Sequence, residues 1–500
     1  MNFPYLTTIV FLPVVGAILI AFIPGLSERA IRRIAAVFTF VSLALAIFLF
    51  SIFDRSPAAA GIFQFQENLA WITPLNAFYN LGADGLSLPL IVLTTFLGFV
   101  CVLLSWKIDL RVREYFAWLL LLETSILGVF SSLGLLLFFI FWEIEIIPMY
   151  FLISIWGAGR KEYSAIKYVI YTLFGSAFML AGILSLYFTT GSLSMVDLTQ
   201  KGLGMVQSIM PPAAIFFLLI IGFAVKLPVV PFHTWLPDAH TDAPTAGSVI
   251  LAGALIKMGG YGMIRVCVSF FPGVARDYAT LFVILAVISV LYGAALTLKQ
   301  TDLKRMIAYS SVSHMGYVLL GIFALDKISL TGAALQMVSH GLLTGLLFAM
   351  AGLVMHNTHE RDLRKLGGLA RQMPVIGVVF SIAGLGSLGL PTTSGFAAEF
   401  LVFVGSFSST VVNGMQVYTI LTIIGVVLAA GYILWMLQRV FYNGVQDKFN
   451  GVKDADNLEK VYMFAFVVLI MLIGIYPAIL TDVIKLGISP ITGLLVSCPP

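Results

Sequence analysis

The chain has 500 residues, of which 60% are hydrophobic and only 10% charged, and its mean hydropathy is +1.02. Apolar runs long enough to cross a bilayer recur from end to end, which excludes a soluble globular chain and the short alternating strands of a β-barrel. No GxGxxG or P-loop signature follows a strand, so no nucleotide site is recognisable. The net charge of +4 finds its explanation in membrane topology rather than in nucleic acid.

The fold class is therefore an all-α polytopic membrane protein, because a spanning backbone must satisfy its own hydrogen bonds. Fourteen candidate spans cover residues 4–23, 31–53, 86–105, 115–131, 134–156, 166–189, 212–231, 244–266, 278–298, 306–325, 330–356, 374–407, 416–441 and 461–480. No basic segment precedes the first run, so it reads as a retained helix rather than a signal peptide. The loop at 54–83 holds Gly, Pro and Asn with little charge and reads as a packed cover. No soluble domain is expected, and the chain is expected to end after the fourteenth span.

Two spans carry internal breaks. In the seventh, Pro228 and Pro231 follow Lys226; in the twelfth, Pro391, Thr392, Thr393, Ser394 and Gly395 separate two apolar halves. Proline removes a backbone donor and clashes with the preceding turn, so both spans should kink or unwind. They lie five spans apart and each carries an ionisable residue, the pattern of repeated halves in transporters. Asp242, followed by Ala243 and Pro244, reads as an N-cap for the eighth span. Asp456 and Glu459 have capping-box spacing before the last.

Alternating the loops between two sides places 20 of the 28 Lys and Arg on one side. Arg29, Lys107, Arg160, Lys299, Arg361 and Arg439 open the six basic groups there. The other side receives Arg55, Lys201, Arg276, Lys327 and Lys485. The positive-inside rule then puts both termini on the non-cytoplasmic side.

The buried charges are the functional signal. A lysine at a bilayer centre costs about 2.5–3.5 kcal/mol on insertion scales, and such groups usually pair and mark ion or proton paths. Lys226 could reach the surface by snorkelling if its helix ended at Pro228, whereas Lys257 is central in the eighth span, with Tyr261 and Arg265 continuing one polar stripe at i+4 and i+8. Desolvation disfavours an ammonium and a nearby carboxylate restores it, so a moving partner can switch its proton affinity. Glu143, central in the fifth span, is the natural partner of Lys226. Glu145, two residues on, is expected on roughly the opposite face, in contact with another subunit or in a second polar pocket. Glu399 is the carboxylate of the broken twelfth span. His314 follows Ser310 at i+4, and Gln336, His340 and Thr344 form a hydrophilic line on the eleventh span, reading as proton carriers. Glu123, Glu145, Tyr261 and Lys304 stand as accessory candidates. His233, Asp238, His240 and Asp242 match no strong metal-ligand spacing, and Cys101, Cys267 and Cys498 form no CxxC pair, so no metal or cluster is expected in this chain.

The segments AVKLPVVPFHTWLPDAHTDAPTAGSVILAGALIKMGGYGMIR, FWEIEIIPMYFLISIWG, LKRMIAYSSVSHMGYVLLG and LPTTSGFAAEF resemble, essentially end to end, the antiporter-like subunit 4 (chain M) family of respiratory complex I, with its cyanobacterial and plastid relatives. The resemblance implies fourteen helices with two inverted five-helix repeats and broken helices 7 and 12. It divides one membrane domain into N-terminal helices (1–110), a first repeat (111–270), a second repeat (271–445) and the last helix with its tail (446–500). It matches Glu143 to the fifth-helix acid paired with Lys226, Lys257 to the central eighth-helix lysine, His314 and His340 to connecting histidines, and Glu399 to the terminal group. Glu145 departs from many bacterial members, which are apolar there. The implied function is proton translocation by a non-redox subunit of an NAD(P)H- or ferredoxin:quinone oxidoreductase in a prokaryotic plasma membrane, or alternatively a thylakoid membrane. The implied partners are two sister antiporter-like subunits and the quinone-site subunits, with FMN, iron–sulfur clusters and quinone held on partner subunits and none in this chain. The alternative is a subunit of a multisubunit sodium/proton antiporter. The carboxylate Glu399, where those relatives typically carry lysine, favours the first.

Overall fold

The structure is a computed structural model describing residues 3–201, 209–444 and 447–497. Cys498, the side chain of Lys201 and the division between residues 445 and 446 lie outside the described residues.

Helices dominate because the apolar runs have no other way to satisfy their backbone inside a membrane. In chain order they are α1 (Tyr5–Phe22), α2 (Glu28–Ile52), α3 (Ser87–Leu104), α4 (Val112–Ser131), α5 (Leu135–Trp156) and α6 (Lys161–Thr190). The seventh span is two pieces, α7 (Pro212–Lys226) and α8 (Trp235–Asp242). Then come α9 (Thr245–Val268), α10 (Ala279–Leu298), α11 (Leu303–Phe323) and α12 (Lys327–Thr358). The twelfth span is also two pieces, α13 (Pro374–Ser387) and α14 (Ser394–Ser408). The chain continues through α15 (Met415–Tyr442), α16 (Asn457–Ile475) and α17 (Ala478–Ser497).

Among the described residues thirteen helices are long and apolar enough to cross a membrane. One of them, α17, belongs to the segment read as a tail. Its partners decide its course: Val483 and Gly487 pack on Gly85, Pro490 on Gly61, and the Leu495 carbonyl accepts from Arg276. Those three positions lie on loops of a single face, so α17 runs across that face instead of crossing. Among the described residues the other twelve helices and the two spans built from separate pieces then make the crossings. The loop read as a packed cover has regular structure of its own. It forms an antiparallel hairpin, β1 (Gln64–Ile72) with β2 (Ala77–Ala83), registered Asn68 to Asn80. Glu67 of the hairpin accepts the Leu6 and Thr7 N–H groups, satisfying the first donors of α1. We call this the hairpin face.

The opposite face carries the basic loops. Lys107 there pairs with Asp456 at 2.9 Å and Glu459 at 2.7 Å, and Asp456 and Glu459 form the expected capping box of α16. The N-cap expected at Asp242 is not formed. Asp242 ends α8, its carbonyl accepts from Ala158 N–H, and its carboxylate accepts from Ser164 Oγ at 2.6 Å. Pro244 precedes α9 instead, fixing its entry without a side-chain cap.

The breaks are stabilised locally. At the end of α7 the Trp235 indole donates to Val225 O at 2.9 Å and Val229 N–H to Ala224 O at 3.0 Å, so the freed carbonyls are paired. The turn after α13 needs a left-handed residue, supplied by Gly389 with φ of 81°. Burial is graded: the most apolar windows of α9 and α12 are wholly buried and that of α11 94% buried, against 33% for α2 and α16. The three innermost helices therefore have no lipid contact to reward apolar faces, and they are the ones rich in polar groups. α9 reaches α7 at Gly259, where an added Cβ would lie 2.6 Å from Leu227 N and Phe223 O. Gly259→Leu is expected to push α9 from α7 and destabilise by about 1–3 kcal/mol, seen as lower retention of this subunit when solubilised membranes are heated.

Candidate functional site

Lys226 is the last residue of α7, so its ammonium sits at the negative end of a broken helix dipole. It is 1% exposed and does not snorkel. Its partner differs from the expectation. The Lys226 ammonium donates to the Glu145 carboxylate, which also accepts from Tyr168 of α6; Glu143 is not bonded to it. The reason is in α5, whose helical segments Leu135–Ile144 and Ile146–Trp156 are interrupted at Glu145. Pro148 has no N–H to offer the Ile144 carbonyl, so the regular ladder fails there. Glu145 is fully buried between α5, α6 and α7, while Glu143 is half-buried on a groove between α5 and α6.

Lys257 is also different from a residue on a plain helix. It stands between two π-helical turns, Leu251–Leu255 and Met263–Val268, irregularities found often at functional sites. Among the described residues it has no carboxylate partner. Its ammonium donates to Ala252 O and lies 2.7 Å from His340 Nδ1. With Nδ1 accepting, the ring proton of His340 sits on Nε2, which has no hydrogen-bond partner among the described residues. The rings of His340 and His314 have centroids 5.6 Å apart. His314 Nδ1 is 3.3 Å from Glu399 Oε1, and its Nε2 is 3.3 Å from Ser387 Oγ. Thr344 Oγ1 approaches His340 Nδ1 at 3.3 Å, so the polar line on α12 converges on that ring. Gln336 is buried with its Oε1 unpartnered.

The accessory candidates divide. Tyr261 lies 3.3 Å from Arg265 Nε, and Arg265 pairs with Asp84 at 2.6 Å, continuing the α9 stripe toward the hairpin face. Lys304, at the start of α11, donates to Ala243 O at 2.7 Å. Glu123 is buried against Gly98 of α3, apart from the others, with Oε1 unpartnered. Two of the residues weighed as metal ligands have other partners: Asp238 pairs with Lys167 at 2.7 Å, and His240 stacks on Phe348 at 4.7 Å.

The sequence reading missed Tyr168 and Asp84, and weighed His240 only as a metal ligand. Tyr168 gave no signal beyond being polar on an apolar helix. Asp84 lies just before an apolar run and reads as a cap; it does accept from Ser87 N–H at 3.0 Å, and also holds Arg265. His240 is fully buried within electrostatic range of both Lys304 and Lys257.

Residues 132–425 match the family described as "NADH:quinone oxidoreductase/Mrp antiporter, TM". "NAD(P)H-quinone oxidoreductase chain 4 1" of Synechococcus elongatus is 40% identical, covering 96% of this chain and 90% of the relative. "NADH-quinone oxidoreductase subunit M" of Rickettsia conorii is 36% identical, covering 98% of this chain and 99% of the relative. Among solved structures, a chain of respiratory complex I from Thermus thermophilus with bound NADH superposes with a TM-score of 0.88 at 25% identity, covering 98% of this chain and 99% of that one.

Proposed function

Because the chain belongs to the NADH:quinone oxidoreductase/Mrp antiporter membrane family and resembles subunit M over its whole length, we propose that it is a proton-translocating membrane subunit of an NAD(P)H:quinone oxidoreductase. The carrying observation is the contact line Lys257–His340–His314–Glu399 through the three innermost helices and α14. Direct proton transfer needs groups within about 2.6–3.2 Å, which Lys257 and His340 meet; the two later steps are longer and would each pass through one water, and an imidazole can take a proton on one nitrogen and release it from the other.

In this reading a proton enters from the basic face past Lys304 and His240, and Lys257 stores it. His340 accepts at Nδ1 and passes on from Nε2, and His314 hands the proton to Glu399. Lys226 and its α5 carboxylate sit beside this line as the trigger. When a neighbouring subunit's charge changes, the ion pair loosens and the field at Lys257 changes with it. At an effective dielectric near 20, a unit charge moved to about 4 Å from another changes its energy by about 4 kcal/mol, enough to shift a proton. Redox chemistry and its cofactors belong, on this proposal, to partner subunits, with sister antiporter-like subunits as neighbours. On this proposal the hairpin face lies outside the cytoplasm, a reading that the basic loops of the opposite face support. The family also contains Mrp antiporters, but the end-to-end likeness to subunit M and the carboxylate at Glu399 favour the oxidoreductase.

Lys226→Ala tests the trigger. In inverted membrane vesicles containing the assembled complex, proton uptake per NAD(P)H oxidised should fall roughly tenfold, a barrier rise of about 1.4 kcal/mol. Full uptake in the assembled variant would remove Lys226 from the mechanism.

A further inference from the structure

Lys226 has two carboxylates within electrostatic reach, Glu145 and Glu143, and their surroundings are unlike. Glu145 is wholly buried and held by the Tyr168 hydroxyl as well as by Lys226. Glu143 lines an apolar groove of about 540 Å³ with Ile147, Ile170 and Leu173, and its Oε1 has no hydrogen-bond partner among the described residues. The ammonium lies over two rings, 5.6 Å from that of Trp142 and 5.4 Å from that of Tyr168. Both rings favour a cation at this place.

We infer that Lys226 alternates between two carboxylates, with Glu145, positioned by Tyr168, as its resting partner and Glu143 as its alternate. This deepens the proposed function and rests on Lys226 acting as the trigger. The physical gain is that the ion pair moves without isolating a buried charge, the most unfavourable state available to it. When Lys226 leaves, Glu145 still accepts from Tyr168, so the vacated carboxylate keeps one charge-assisted hydrogen bond. When Lys226 arrives, Glu143 gains the partner its Oε1 lacks. Glu145 meets Lys226 directly and Glu143, two residues away on α5, acts on it electrostatically, so both carboxylates lie within reach of one lysine. Glu145 and Glu143 come from α5 and the Tyr168 hydroxyl from α6, and together they set the charge around Lys226.

The test uses vesicles carrying the assembled native complex, with proton uptake per NAD(P)H oxidised measured across pH. Glu145→Gln is expected to lower uptake about tenfold and to move the pH profile to lower pH, because removing a carboxylate beside an ammonium favours loss of its proton. Glu145→Asp should restore most of the uptake. Tyr168→Phe, which keeps the ring and removes only the hydroxyl, should shift the profile with a smaller loss, which a merely structural tyrosine would not do. Should Glu145→Gln fail to assemble, Tyr168→Phe decides: an unshifted profile overturns the inference. Full uptake with an unchanged profile in Glu145→Gln also overturns it. Lys226→Ala separates the two levels. Loss there with none in Glu145→Gln removes the resting partner alone, whereas full uptake in both removes the proposed function's trigger as well.

Discussion

Lys257→Met is expected to abolish proton uptake coupled to quinone reduction while leaving the subunit assembled. Lys257 is wholly buried on a wholly buried helix, and no carboxylate offsets its charge. Its polar contacts are a carbonyl and an imidazole, Ala252 O and His340 Nδ1. A group so placed contributes little to stability, since burying an ammonium carries a desolvation cost of several kcal/mol. Methionine fills a similar volume without that cost, so the variant should fold at least as well as the parent. Function should respond oppositely. His340 loses the donor at 2.7 Å, and the gap between the entry groups and the histidines then has no titratable side chain to bridge it. Uptake per NAD(P)H oxidised should fall by more than about tenfold, a barrier rise above about 1.4 kcal/mol. A Met variant that pumps at the parental ratio would sink the line through α9 and α12.

Arg265→Leu should do the reverse, costing stability before function. Arg265 and Asp84 are 5% and 3% exposed and paired at 2.6 Å beneath the helix that runs across the hairpin face. Removing one partner of a buried pair leaves the other uncompensated, at about 3–5 kcal/mol. Asp84 is partly protected because it also accepts from Leu86 and Ser87 N–H, so the lower end of that range is expected. The sign is checked by the double variant: Asp84→Leu with Arg265→Leu removes both charges and should recover much of the loss. The measurement is the temperature at which half of this subunit is lost from the solubilised complex. Equal losses in the single and double variants would show that the packing of Arg265 over Phe63 and Tyr261, and not the charge, holds this corner.

Class and span order were legible because the membrane leaves few choices. An apolar run of about twenty residues has one stable form there, and the breaks after Lys226 and before Ser394 follow from proline's missing donor. Lys226, Lys257 and Glu399 could be singled out for the same reason: a charge in an apolar run is costly enough to need a cause. The capping box of Asp456 and Glu459 is local and was equally readable. The hairpin was not, since its two strands show little apolar–polar alternation. The last helix was missed because composition alone does not distinguish lying on a face from ending in a tail.

What the sequence by itself determined, then, is which charges are buried and in what order along the chain; which of them meet was decided by the tertiary structure. Periodicity set Glu143 and Glu145 on opposite faces and gave Lys226 to Glu143, yet it is Glu145 that bonds Lys226 once α5, α6 and α7 pack together. His340 and Lys257 are 83 residues apart and touch only because α9 and α12 pack together. Pairing of buried charges depends on the crossing of helices and on local breaks in their backbone. Those are set by many side chains packing at once, and no single stretch of sequence carries them.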